Sequence, residues 1–291
     1  MTELESSEPH ASRAVKALVA MQLLAVLAGA LSFLFLSPST ARAQPGSLPL
    51  VEAIVWLLAL GTGLWSANAL LQGRIGVVEL IYIDAAVLAT ACAALSLVEA
   101  HRVFKPLPML LALAWVSRAW ALGRLPKVSA WVLLLALASS LLGDVFLMLP
   151  DPYFLPGLLS FLLAHLAYLV LFRRGQAWFP NRAALALTLL LGIAVYGALW
   201  RHGLPAALRG PVAGYVLVIT CMAAQALGRT ASRQTSGSVL VGAGAVFFMA
   251  SDSLLAFNKF VTPLPLAPLW VLSSYFLAQW LIVRGWLREP E

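Results

Sequence analysis

Residues 128–149 read VSAWVLLLALASSLLGDVFLML, twenty-two positions with a single ionisable side chain, Asp144. About 20 apolar residues in a helix cross the hydrocarbon core of a bilayer. The run shows no alternation of apolar and polar positions and is too long for a barrel strand. It reads as a membrane-crossing helix with a carboxyl inside it. Working outward, similar apolar runs occupy residues 17–36, 51–71, 77–98, 106–122, 154–172, 183–200, 211–227, 239–257 and 264–283. Short connections join them, several with Pro, Gly or Arg, as in Gly123-Arg124-Leu125-Pro126 and Arg201-His202-Gly203-Leu204-Pro205. The expected fold is all-α, a polytopic membrane bundle of about ten transmembrane helices.

Composition points the same way. The chain has 291 residues, 62% hydrophobic and 11% charged. A soluble domain carries roughly 25% charged residues and under half apolar. Ten spans consume roughly 200 residues and leave roughly 90 for loops and tails. That leaves no room for an independent soluble domain. The net charge of +7 is assigned to loop lysine and arginine, so no nucleic-acid partner is expected. Cys92 and Cys221 both fall inside apolar runs and indicate neither a disulfide framework nor a metal site.

The start of the chain has two readings. Ala41-Arg42-Ala43 before Gln44 has the form of a signal-peptide cleavage site. The apolar run ahead of it, however, is about 20 residues, longer than the roughly 7–15 of a signal core. A retained first helix is expected. Of the lysines and arginines, thirteen fall on one side of the expected bundle and six on the other. The positive-inside rule then puts both termini in the cytoplasm, with the chain in a bacterial plasma membrane.

An ionised group at membrane depth is costly, and it is a functional candidate by default. Asp84, Asp144 and Asp252 lie within apolar runs. Asp144 and Asp252 each precede the end of their run by about five residues, and the two runs cross in the same direction. Both carboxyls are thus expected roughly 8 Å below the same, non-cytoplasmic surface. Lys105 opens the 106–122 run on that side, and Asn258 and Lys259 close the 239–257 run. His165 and Tyr168 share a helix face by i,i+3 spacing, and Tyr275 and Gln279 by i,i+4. Plain structural roles are open to all of them: acids paired with neighbours, a bridging histidine, a snorkelling lysine, packing tyrosines, a glutamine joining helices. Trp178, Trp200, Trp270 and Trp286 near run ends read as interfacial anchors. Gly143-Asp144-Val145-Phe146-Leu147 and Ser251-Asp252-Ser253-Leu254-Leu255 place a small residue before Asp at equivalent points of two four-helix stretches. A duplicated four-helix unit would produce this.

Five motifs in order carry a resemblance. They are Phe104-Lys105-Pro106-Leu107-Pro108, Ser140-Leu141-Leu142-Gly143-Asp144-Val145-Phe146-Leu147-Met148, Ala164-His165-Leu166-Ala167-Tyr168, Phe248-Met249-Ala250-Ser251-Asp252-Ser253-Leu254-Leu255-Ala256 and Ser274-Tyr275-Phe276-Leu277-Ala278-Gln279. Together they resemble the lysoplasmalogenase (YhhN-like) membrane family over about residues 77–285. The resemblance implies an eight-helix core at 77–285, preceded by a tail and two extra helices at 1–76 and followed by a tail at 286–291. It implies an enzyme that hydrolyses the vinyl ether bond of a lysoplasmalogen to a fatty aldehyde and a glycerophospho-base. Asp144 and Asp252 would be the catalytic pair. Lys105, His165, Tyr168, Asn258, Tyr275 and Gln279 would surround the lysophospholipid substrate, amid membrane lipids. Oligomeric state is not set by the sequence.

The chemistry suits the residues. Vinyl ether hydrolysis begins with protonation of the β-carbon, which leaves an oxocarbenium ion that water attacks. Two buried carboxyls close together resist double ionisation, so one can hold the proton while the other stabilises the cation and accepts a proton from water. No metal or cofactor is called for, since one histidine and two separated aspartates make a poor zinc set. An intramembrane aspartyl protease fits less well, because Leu141 stands where a Gly-x-Gly-Asp motif needs glycine. A proton-coupled small-molecule or lipid transporter using the same acids as relay groups is the alternative.

Overall fold

The computed structural model describes residues 48–149 and 152–289. The expected first helix at 17–36 and the cleavage-like site at Ala43 lie outside these residues. The described residues form α1 (Leu48–Leu71), α2 (Val77–Ala94), α3 (Val98–Phe104), α4 (Leu107–Ala121), α5 (Lys127–Met148), α6 (Phe154–Arg173), α7 (Arg182–Arg201), α8 (Ala206–Arg233), α9 (Ser236–Phe260) and α10 (Ala267–Trp286). No strand occurs among them. Several starts are capped as their sequences dictate. Asn181 accepts from the Ala184 amide at 3.0 Å to open α7. Thr235 and Ser238 exchange two bonds of 3.1 Å to open α9.

Seven of the described helices are long and apolar enough to cross a membrane: α1, α2 and α5 to α9. The 17–36 run lies outside the described residues. Among the described helices the expected spans are corrected on two points. α4 has only 15 residues, roughly 22 Å, against a hydrocarbon core of roughly 30 Å. α10 is long enough but carries Ser273, Ser274, Gln279 and Arg284, and these leave it less apolar. It can be so because it is wrapped by protein, packing on α9, α2 and α4. Trp286 follows from this. Expected as an interfacial anchor, it is 1% exposed, against Phe172 and under the guanidinium of Arg229. By contrast Leu190 and Ile193 on α7 are 64% and 67% exposed, a face suited to lipid tails rather than water.

The most extensive helix pairs are the hairpins α5–α6 and α9–α10. Each closes over a glycine. A Cβ on Gly143 would come 2.5 Å from the Phe161 ring, and one on Gly244 would come 2.8 Å from the Ala278 carbonyl. Only glycine lets the helices approach so closely. α8 runs on through Pro211, which the sequence reading took as its start. Proline is tolerated near a helix N-terminus, where few backbone bonds are lost. The short α3 was not anticipated.

At the end of the bundle opposite the cleft described below, α8 is tied to the chain terminus. The Arg229 guanidinium donates to the Glu289 carboxylate and to the carbonyls of Phe172 and Arg174. Both partners are nearly inaccessible, with side chains 1% exposed. Removing one member of such a pair strands a buried charge. Arg229→Ala should therefore cost about 3–5 kcal/mol. Glu99→Ala, which breaks a surface pair with Arg102, should cost under about 1 kcal/mol. Thermal unfolding in detergent compares them, and equal losses would contradict the assignment.

Candidate functional site

α5 ends at Met148, four residues beyond Asp144, and α9 ends at Phe260, eight beyond Asp252. The two acids thus lie roughly 6 Å and roughly 12 Å from their helix ends. The expected equal spacing is corrected, because α9 is longer than its apolar run. Both carboxylates nonetheless open on one cleft of about 610 Å³, formed by the α2–α4 connection with α5, α6, α9 and α10. Lys105, Asn258, Lys259 and Tyr275 line it too, along with His101 and Arg102.

Asp144 is 2% exposed. The Tyr275 hydroxyl donates to its Oδ2 at 2.7 Å. Lys105 Nζ stands 3.7 Å from its Oδ1 and donates to its backbone carbonyl at 3.3 Å. Lys105 caps α3 just before α4, outside the spanning helices. Burial pushes its ammonium below the usual lysine range, and the Asp144 carboxylate pulls it part of the way back.

Asp252 has different company. The Tyr215 hydroxyl of α8 donates to its Oδ2, and His165 Nε2 of α6 lies 3.6 Å from the same oxygen. His165 is fully buried, with Nδ1 2.6 Å from the Phe161 carbonyl. A carbonyl can only accept, so Nδ1 carries the hydrogen. Nε2 has no hydrogen-bond partner.

The remaining expected residues divide. Tyr168 donates to Gln279 Oε1 at 2.5 Å, and Gln279 Nε2 donates to Ser140 at 3.0 Å. This chain ties α6, α10 and α5 together, and neither Tyr168 nor Gln279 is among the residues that line the cleft. Asn258 lines the cleft but spends its Oδ1 on the Leu264 amide, holding the turn into α10. Lys259 lies 4.3 Å over the Phe154 ring at the cleft's exposed edge. Asp84 is half-buried on α2 and away from the cleft. Tyr215 was missed in the sequence reading. Its only signal was a hydroxyl, one of two with Thr220, in the apolar run 211–227.

The partners follow a crossed pattern. Asp144 is met by Lys105, just ahead of α4 in its own four-helix stretch, and by Tyr275 on the last helix of the other one. Asp252 is met by Tyr215, on the helix just ahead of its own α9, and by His165 on α6, the last helix of the first stretch. The cleft therefore presents one carboxyl beside an ammonium and another beside neutral groups, with basic side chains at its edge. Two carboxyls with unlike partners thus share one cleft with a basic mouth.

Comparison with known proteins gives matches. Residues 100–286 match the YhhN family. The human lysoplasmalogenase TMEM86B is 34% identical over 155 residues, 53% of this chain and 63% of that protein. Lysoplasmalogenase TMEM86B of Rattus norvegicus is 37% identical over 163 residues, 55% of this chain and 63% of that one. The human lysoplasmalogenase TMEM86A is 34% identical over 167 residues, 56% and 68% respectively. The chain thus spans less than two thirds of the length of the TMEM86B proteins. No solved structure matches it.

The pairing of Lys105 with Asp144 can be measured directly. Lys105→Met leaves a buried carboxyl facing no cation and should lower thermal stability. Adding Asp144→Asn should recover part of the loss, a coupling of about 1 kcal/mol or more. A double variant that loses the sum of the two single effects would show that the groups do not interact.

Proposed function

The chain belongs to the YhhN family, and from that footing we propose that it hydrolyses the vinyl ether bond of a lysoplasmalogen, releasing a fatty aldehyde and a glycerophospho-base. The observation that carries this reading is the pair of carboxyls on one cleft with unlike partners. The names of the relatives support the same chemistry. In this reading α2 and α4 to α10 make the eight-helix core, with α1 and the 17–36 run added in front. The excess of basic residues on one side of the bundle supports a reading with both termini on the cytoplasmic side of the membrane.

Asp252 and His165 supply the proton. With Nδ1 donating to Phe161, Nε2 turns a lone pair toward Asp252 Oδ2 at 3.6 Å. Two facing lone pairs repel, and one proton held between the groups removes the repulsion. That proton passes to the β-carbon of the vinyl ether, and the π electrons form the new C–H bond. The positive charge left is shared by the adjacent carbon and the ether oxygen. Asp144, kept anionic by the ammonium of Lys105, stabilises this oxocarbenium ion. Water adds to its carbon and gives a proton to a carboxylate, so the site recovers the proton it spent. The hemiacetal then collapses. Its hydroxyl proton leaves, the bond to the glycerol oxygen breaks, and that oxygen takes a proton. Tyr275 and Tyr215 hold the two carboxyls in place. Lys259 and Arg102, at the cleft's exposed edge, meet the lipid phosphate.

The test is aldehyde release by the purified protein from lysoplasmenyl-ethanolamine, with lysophosphatidylethanolamine as the ester control. Only the vinyl ether should be cleaved. Asp144→Asn and Asp252→Asn should each lose at least about 100-fold with the fold intact. Near-normal release by either variant would remove the two-carboxyl mechanism.

A further inference from the structure

Beside the polar cleft lies a second, apolar chamber of about 90 Å³, enclosed mainly by α6, α7, α8 and α9. The two spaces meet. Asp252 lines both, together with Leu147, Phe154, Phe161 and Leu255. Beyond Asp252 and Tyr215 the chamber offers almost nothing polar. The Thr220 hydroxyl is turned back on the Val216 and Leu217 carbonyls, and Ser253 on the Met249 carbonyl. What remains on the wall is apolar: aliphatic side chains, Met249 and the rings of Phe154, Phe161 and Phe260. One side is also unsealed. α7 packs on α8 and touches α9 but has almost no direct contact with α6, its neighbour in sequence, although both line the chamber. The outer face of α7 carries the most lipid-suited residues of that helix, Leu190 and Ile193.

We propose that this chamber is the chain-binding subsite of the lipid, an assignment that rests on the proposed hydrolase reading. It takes the methylenes next to the reacting bond, and the rest of the single fatty chain leaves between α6 and α7 into the bilayer. The volume requires that exit, because a cavity of roughly 150 Å³ holds no more than a benzene ring. The phosphate then occupies the basic cleft, the chain occupies the apolar chamber, and the bond between them lies against Asp252 at the junction. Val195 of α7 and Ala256 of α9 both line the chamber, and the bulk of their side chains sets which chains pass.

Two measurements on the full-length protein in detergent or nanodiscs test this. In the first, lysophosphatidylethanolamine with a diazirine near the carboxyl end of its chain is photolysed on the protein. Adducts should map to the chamber-lining residues Leu191, Val195, Leu199, Met249, Leu255 and Ala256, and excess lysoplasmenyl-ethanolamine should displace them. Adducts only on outward residues such as Leu190 and Ile193, undisplaced by competitor, would overturn the subsite. In the second, Val195→Trp and Ala256→Phe are compared with the parent on sixteen-carbon and four-carbon alkenyl substrates. The long-to-short rate ratio should fall at least about tenfold. An unchanged ratio would overturn the subsite. Displaceable chamber adducts without any aldehyde release would leave the subsite standing and sink the hydrolase reading; aldehyde release without chamber adducts would do the reverse.

Discussion

A carboxyl placed inside an apolar helix has to find its partners within the protein, because the lipid offers none. α5 and α9 each carry one, and the centre of the bundle is arranged around that need. Asp144 draws in Lys105 and Tyr275, and Asp252 draws in Tyr215 and His165. These come from the connection before α4 and from α10, α8 and α6. Four separate parts of the chain must converge on one cleft for the two acids to be satisfied. Gly143 and Gly244 make the convergence possible by letting the hairpins α5–α6 and α9–α10 close tightly.

The convergence crosses between the two halves of the chain, each acid taking one partner from its own half and one from the last helix of the other. A duplicated unit whose copies exchange their fourth helices has this pattern. The crossing is symmetric in position and unsymmetric in charge. Where one acid faces an ammonium, the other faces a phenol and an imidazole whose free nitrogen points at it. In the proposed mechanism the difference between their partners is what would separate an anion at Asp144 from a proton carrier at Asp252. The continuation of the cleft into an apolar chamber at Asp252, and not at Asp144, fits the same division.

Most of the helices could be read from the chain because long apolar runs have few alternatives in a bilayer. Asp144, Asp252 and Lys105 were legible as candidates because charge is scarce there. What escaped was set by packing. α3 is seven residues of mixed character, too short to leave a period. α10 looks like a span by length, yet its polar residues are tolerated because other helices enclose it. Equal depth for the two acids was inferred from run ends, and α9 continues past its run to Phe260, with Asn258 holding the turn that follows through the Leu264 amide. Tyr168 and Gln279 stood out correctly as polar groups in apolar helices, but their spacing could not show that they bond to one another and to Ser140 instead of facing the cleft. Tyr215 could not be singled out, since a tyrosine in a membrane run is ordinary until the carboxyl it serves is located.

The central claim is that this cleft delivers a proton to carbon. Hydrolysis of lysoplasmenyl-ethanolamine in deuterated water, with the aldehyde trapped at once by reduction and the alcohol resolved as a chiral ester by NMR, addresses it most directly. The one deuterium on the carbon next to the former carbonyl carbon should have a single configuration, because a fixed acid adds it to one face. Deuterium in both configurations equally would show that the proton is added in free solution after the bond has broken by another route, and that the acid at Asp252 does not deliver it.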